Sequence, residues 1–85
     1  MNAAEKIRLH VAIAQALRSQ GDSGLNEDQL LLAQRIAGFD LSLPALQVEL
    51  RALADQNVIA AFTPLSGKRY RLTAIGESKL AEAGL

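Results

Sequence analysis

The chain has 85 residues, nine basic and nine acidic side chains, no formal net charge and 49% hydrophobic residues. This length predicts one small domain spanning residues 1–85, and the absence of cysteine excludes disulfides and thiolate metal sites. Zero net charge argues against a strong non-specific polyanion binder. The charge is unevenly divided, because residues 1–57 carry five basic and seven acidic side chains whereas residues 58–85 carry four and two.

No apolar run of the sequence approaches the roughly 20 residues that cross a bilayer. The N-terminal segment also lacks the layout of a signal peptide, because Arg8 and His10 interrupt its apolar part. These patterns predict a cytoplasmic protein with no membrane association.

The first predicted element is a helix from about Ala3 to Ser19, which no Gly or Pro interrupts. Its predicted inner stripe consists of apolar residues at helical spacing: Ile7, Val11, Ala14 and Leu17. Ile13 lies off this stripe and is predicted to be exposed. A loop rich in Gly, Asp, Ser and Asn follows at residues 20–26, and Leu25 within it is a candidate for a short edge strand.

The second predicted helix has a clear start and a clear stop. Asn26 is a suitable N-cap, and Gln29 stands three residues later as its capping-box partner. Glu27 and Asp28 in the first turn complement the positive end of the helix dipole. The helix is expected to stop near Gly38.

The third predicted helix begins at its cap, Ser42, with Pro44 in the first turn, where a missing N–H costs little. Leucines form its single apolar stripe: Leu43, Leu46, Leu50 and Leu53. Asn57 is suited to a left-handed residue that ends the helix and starts a strand.

A β-hairpin is predicted next, with strands at Val58–Thr63 and Arg69–Leu72 and an exposed Leu65 at its tip. Strand alternation turns one pair of side chains inward, Tyr70 and Leu72, and the other pair outward, Arg69 and Arg71. Thr73 then caps a last helix whose predicted inner face includes Ile75 and Leu80. The element order is helix, helix, helix, hairpin, helix, which is an α+β fold that is mainly helical.

Two stretches of the chain carry a resemblance to a known family. "LRALADQNVI" (residues 50–59) resembles the end of a recognition helix running into the first strand of a wing. "YRLTAIGESKL" (residues 70–80) resembles the second wing strand and closing helix, often seen as Tyr-x-Leu-Thr-x-x-Gly-x-x-x-Leu. Over residues 27–83 the chain therefore resembles the winged helix-turn-helix family, in which a three-helix core carries a two-stranded β wing. Its size is similar to that of small phage or prophage proteins with this fold.

The resemblance implies sequence-specific binding of double-stranded DNA in transcriptional control. The third helix would then lie in the major groove, where Gln47 and Arg51 are the outward side chains suited to reading bases. The wing would contact phosphates through its basic residues: Lys68, Arg69 and Arg71. A homodimer is a further expectation, because winged-helix regulators often form one.

Other features of the same surface favour a protein-interaction module that does not bind DNA. Ala45 and Val48 give the third helix a partly aliphatic outer face, and Glu49 and Asp55 would repel phosphate if they lie close to it. Outward basic residues are also common on strands, because they protect an edge from aggregation. Both interpretations stay open from the sequence.

The residue types present favour a non-enzymatic role and predict no cofactor and no metal. His10 is the only histidine, so the chain can build neither a histidine-anchored triad nor a site with several histidine ligands. The sequence also has no Gly-rich phosphate loop. Glu27 followed by Asp28 is interpreted as a helix start rather than as a pair of catalytic acids.

Overall fold

The computed structural model describes all 85 residues. Four helices and one antiparallel pair of strands follow one another in the predicted order: α1 (Ala3–Gln20), α2 (Glu27–Ile36), α3 (Leu43–Asp55), β1 (Ile59–Phe62), β2 (Arg69–Leu72) and α4 (Ala74–Glu82). The predicted α+β class, mainly helical, is confirmed. A single 3-10 turn at Gly21–Ser23 lies in the segment that was expected to be a loop. None of the helices combines the length and the apolar character needed to cross a membrane.

Side chains cap the helix starts where the sequence predicts them. The Asn26 side chain accepts a hydrogen bond from the Gln29 backbone N–H at 2.8 Å, and the Gln29 side chain accepts one from the Asn26 N–H at 2.9 Å. Ser42 caps α3. The Thr73 hydroxyl accepts a hydrogen bond from the Gly76 N–H at 3.0 Å. Each cap satisfies a backbone donor that the helix cannot pair internally, so these boundaries are set locally.

The hairpin begins directly after α3 because Asn57 takes a left-handed conformation, with φ 60°. Ile59 lies opposite Leu72 in the register of β1 and β2. On its other edge β2 pairs with one residue of the earlier loop: the backbones of Leu25 and Tyr70 exchange hydrogen bonds of 3.0 and 2.8 Å. The predicted edge strand at Leu25 is thus confirmed as an isolated bridge.

Gly24 allows the loop after α1 to approach the hairpin closely. Its φ is +65°, and a Cβ atom at this position would collide with the Tyr70 carbonyl oxygen and the Phe62 ring. Only glycine meets both conditions without strain. This residue therefore lets the Leu25 bridge form.

One core cluster draws on α1, α2, α3, the hairpin and the turn before α3. Its eleven buried members are Leu9, Ile13, Leu17, Leu30, Leu41, Leu46, Leu50, Leu53, Val58, Ile59 and Tyr70. Three of the four leucines in the predicted α3 stripe are in this cluster, and Leu43 packs against it. Full burial of one such aliphatic side chain contributes about 1.5–3 kcal/mol to stability.

The predicted inner stripe of α1 is wrong in part. Leu17 and Ala14 are buried as expected, but Ile7 is 65% exposed. Ile13, predicted to be exposed, is completely buried, as is Leu9. Two aliphatic stripes run along α1, and the helix is rotated so that the one containing Leu9, Ile13 and Leu17 faces the core.

The inner face of α4 also differs from the prediction. Leu80 is buried as expected, whereas Ile75 is 50% exposed. Gly76 occupies the inner position instead, where a Cβ atom would collide with the Val58 carbonyl oxygen and the Leu72 side chain. The close approach of the α4 backbone to the hairpin therefore needs a residue without a side chain and turns Ile75 outward.

Candidate functional site

A groove lies where α3 meets the hairpin and the start of α2. Its volume is about 380 Å³, and it is lined by Glu27, Gln47, Leu50, Arg51, Ala54, Ala61, Lys68 and Tyr70. Three of the five residues predicted to form the functional site line it together: Gln47, Arg51 and Lys68. We call this the α3–hairpin groove.

The outer side of α3 is exposed as predicted, and it forms one wall of the groove. Gln47 and Arg51 are one helical turn apart, which places them on the same side of the helix. Ala45 and Val48 are also exposed, with Val48 at 64%. The α3 surface thus combines two polar side chains with two small aliphatic ones.

Gln47 is held in the groove by a hydrogen bond that it donates to another helix. Its Nε2 donates to Glu27 Oε2 at 2.9 Å, and Tyr70 Oη donates to Glu27 Oε1 at 3.4 Å. Glu27 is the first residue of α2 after the Asn26 cap, so the capping box fixes the backbone position from which its side chain extends. The three side chains link α3, α2 and β2 across the groove.

Two cations lie in the groove beside this carboxylate. The Lys68 ammonium is 5.3 Å from the centroid of the Tyr70 ring. Interaction with the Tyr70 phenol, aided by the charge of Glu27, raises the pKa of Lys68 above its usual value, so this side chain stays charged at neutral pH. The Arg51 guanidinium makes no hydrogen bond or ion pair within the chain. With two positive groups and one negative group, the groove has a net charge of +1.

The other two predicted site residues lie on the opposite side of the hairpin. Arg69 donates hydrogen bonds to the carbonyl oxygens of Ser23 and Gly24, at 3.3 and 3.4 Å. The Arg71 guanidinium lies 5.1 Å from the centroid of the Phe62 ring. Since neighbouring strand residues face opposite ways, these two arginines point away from the side that Tyr70 shares with the groove.

Glu49 does not lie on the outer face of α3, so the condition under which it would repel phosphate there is not met. It is 9% exposed and turned toward α1, where its Oε1 is 2.9 Å from His10 Nε2 and 4.0 Å from Lys6 Nζ. The only histidine therefore joins α1 to α3. Asp55 is exposed at the end of α3, as the sequence suggests.

Sequence analysis missed Glu27 and Tyr70 as members of the groove. The sequence pattern indicates only that Glu27 begins a helix and that Tyr70 is a strand residue facing inward. The hydrogen bonds from Gln47 and from Tyr70 to Glu27 join residues 20 and 43 positions apart. No local pattern records such a pairing, although the capping box does locate Glu27 at the first position of α2.

The chain was compared with protein families, with curated proteins and with solved structures. None of the three comparisons found a match. The similarity of residues 27–83 to the winged helix-turn-helix family stays a prediction that rests on the quoted motifs.

Proposed function

We propose that this protein is a winged helix-turn-helix protein that binds double-stranded DNA sequence-specifically and acts in transcriptional control. The observation that supports this most is the meeting of Gln47, Arg51 and Lys68 in the α3–hairpin groove. Arg51, expected from the sequence to read bases, is proposed here to contact a phosphate beside Lys68, so that one side chain suited to base edges and two cations suited to phosphates face the same ligand. In this arrangement α3 occupies the major groove and the hairpin acts as the wing.

The charge balance of the groove limits how DNA can be held. Arg51 is free of partners within the chain, and Lys68 remains protonated, so both are available to phosphate oxygens. Glu27 opposes them, but its carboxylate is engaged by Gln47 and Tyr70. The sequence-independent part of the affinity should therefore be modest, and specific binding would depend on the base contact made by Gln47.

The salt dependence of binding tests which side of the hairpin meets DNA. Each phosphate contact adds about −0.9 to the slope of log affinity against log salt. The double variant Arg51→Ala with Lys68→Ala should flatten the slope by about 1.8. The matched control, Arg69→Ala with Arg71→Ala, removes the same charge from the opposite side and should flatten the slope much less.

The same experiment can overturn the proposal. Fluorescent random-sequence duplex is titrated at about 50 mM salt, and a random pool is then subjected to selection. Absence of binding and an unenriched pool would reject the DNA function. Equal slopes for the two double variants would reject this groove as the contact and would restore the predicted roles of Arg69 and Arg71. A dimerised form should be included, because one small module covers a single half-site.

A protein-interaction module is the second candidate function, and the exposed aliphatic part of α3 favours it. Val48 is 64% exposed beside Ala45, and the chain as a whole has no net charge. If a protein partner docks on this surface, Val48→Asp should abolish that complex by burying an unpaired charge, and duplex DNA should not bind even at low salt.

A further inference from the structure

The side-chain amide of Gln47 has a defined orientation. Its Nε2 is 2.9 Å from Glu27 Oε2, and an ionised carboxylate only accepts hydrogen bonds. The NH2 group, not the carbonyl oxygen, must therefore face Glu27. The second N–H and the Oε1 atom have no partner within the chain and remain available on an exposed side chain.

Glu27 is itself held in place, which makes it suited to orienting another residue. The capping box sets it at the first position of α2, and its second oxygen accepts the Tyr70 hydroxyl at 3.4 Å. A free glutamine has several rotatable bonds whose freedom is lost on binding. Fixing the amide before the ligand arrives reduces that loss and favours the ligand that fits the fixed orientation.

When Glu27 accepts the Gln47 N–H that is trans to Oε1, the cis N–H and Oε1 form a free edge with one donor and one acceptor side by side. Adenine presents the complementary pair in the major groove, an N7 acceptor and an N6 donor. Guanine presents two acceptors there, and Gln47 has only one N–H left to offer. We propose that Glu27 is a positioning residue that orients Gln47 to select adenine at one position of the bound DNA. This inference rests on the proposed DNA-binding function.

The experiment compares Glu27→Ala with Asp28→Ala. Both substitutions remove one negative charge from the start of α2, but Asp28 is exposed and does not line the groove. Selection from a random pool with wild type and with Gln47→Ala identifies the base pair at which only wild type shows a preference. Duplexes with each of the other three base pairs at that position are then compared with the preferred duplex. Wild type and Asp28→Ala should prefer adenine there by roughly 5- to 150-fold. Glu27→Ala should lose most of this preference while still binding duplex.

A second measurement follows the amide of Gln47 without DNA. The two side-chain N–H protons of a glutamine always differ in NMR shift, but in wild type and Asp28→Ala the proton that bonds Glu27 should be displaced further downfield by the carboxylate. Glu27→Ala should remove that displacement. Three results would each overturn this inference while leaving the proposed function in place. They are an unchanged amide signal in Glu27→Ala, a preferred base other than adenine, and equal discrimination by Glu27→Ala and Asp28→Ala. Absence of duplex binding by every form would overturn the proposed function together with it.

Discussion

The first and third helices both pack aliphatic side chains into the core, but they differ in how clearly their sequences mark the buried side. In α3 the leucines occupy one stripe, and the observed buried face is the predicted one. In α1 aliphatic residues occur on several sides, so Ile7 is exposed while Ile13 is buried. The comparison shows that helical periodicity determines the inner face only when one stripe of large apolar residues has no competitor on the other faces.

The two helices are also joined by a polar contact that neither sequence pattern indicates. His10 of α1 and Glu49 of α3 meet at 2.9 Å, with Glu49 largely excluded from solvent. Glu49 thus belongs to the interior interface between α1 and α3, while Gln47, two residues earlier, belongs to the α3–hairpin groove. Neighbouring residues of one helix serve different surfaces because they point in different directions.

The largest expected effect is at the centre of α3. Leu50 is completely buried, so Leu50→Ala should lower the free energy of unfolding by about 2–5 kcal/mol, measured by urea denaturation. Val48→Ala is the control, because Val48 is exposed and its loss should cost about 0.5 kcal/mol or less. Similar values for the two variants would contradict the observed phase of α3.

The rotation of α1 can be tested in the same way, with an effect of similar or smaller size. Ile13→Ala should cost about 2–5 kcal/mol because its side chain is fully buried. Ile7→Ala removes the same atoms from an exposed position and should change stability by about 0.5 kcal/mol or less. If Ile7→Ala were the more costly of the two, α1 would be packed with the stripe predicted from the sequence.

The contact between α1 and α3 should give the smallest effect. A double-mutant cycle of His10→Ala and Glu49→Ala should show a coupling free energy of about 0.5–3 kcal/mol at constant pH, because the two side chains bond directly. His10→Ala alone should cost more than Glu49→Ala, because it leaves the more buried Glu49 carboxylate with only the Lys6 ammonium, 4.0 Å away. A cycle of His10 with Glu27 is the reference and should show no coupling. Equal coupling in both cycles would mean that the His10–Glu49 contact contributes nothing.

Much of the architecture could be predicted from short stretches of sequence. The caps at Asn26, Ser42 and Thr73, the left-handed Asn57 and the hairpin strands depend on interactions within a few residues. Such features are encoded locally, because the groups that satisfy one another are close in the chain. The candidate site was predicted less completely, since sequence patterns supplied its cations but not their arrangement.

The separation of the cations illustrates the difference. The sequence groups Lys68 with Arg69 and Arg71 as one phosphate-contacting wing, but alternation along β2 correctly indicates only that Arg69 and Arg71 share a side. It does not indicate that the side of Lys68 would meet Arg51 and Gln47 in one groove. That outcome depends on how the hairpin folds back against α3.

Local chemistry thus accounts for where each helix and strand begins and ends, and for the inner face of α3, whose leucines leave no competing stripe. The rotation of α1, the burial of Glu49 against His10 and the hydrogen bond from Gln47 to Glu27 depend on the packed molecule. The physical reason differs between them. The two hydrogen bonds join residues at least 20 positions apart, so they form only when the helices have packed together. The rotation of α1 is a choice between two apolar stripes, and it is decided by which stripe fits best into the close-packed core.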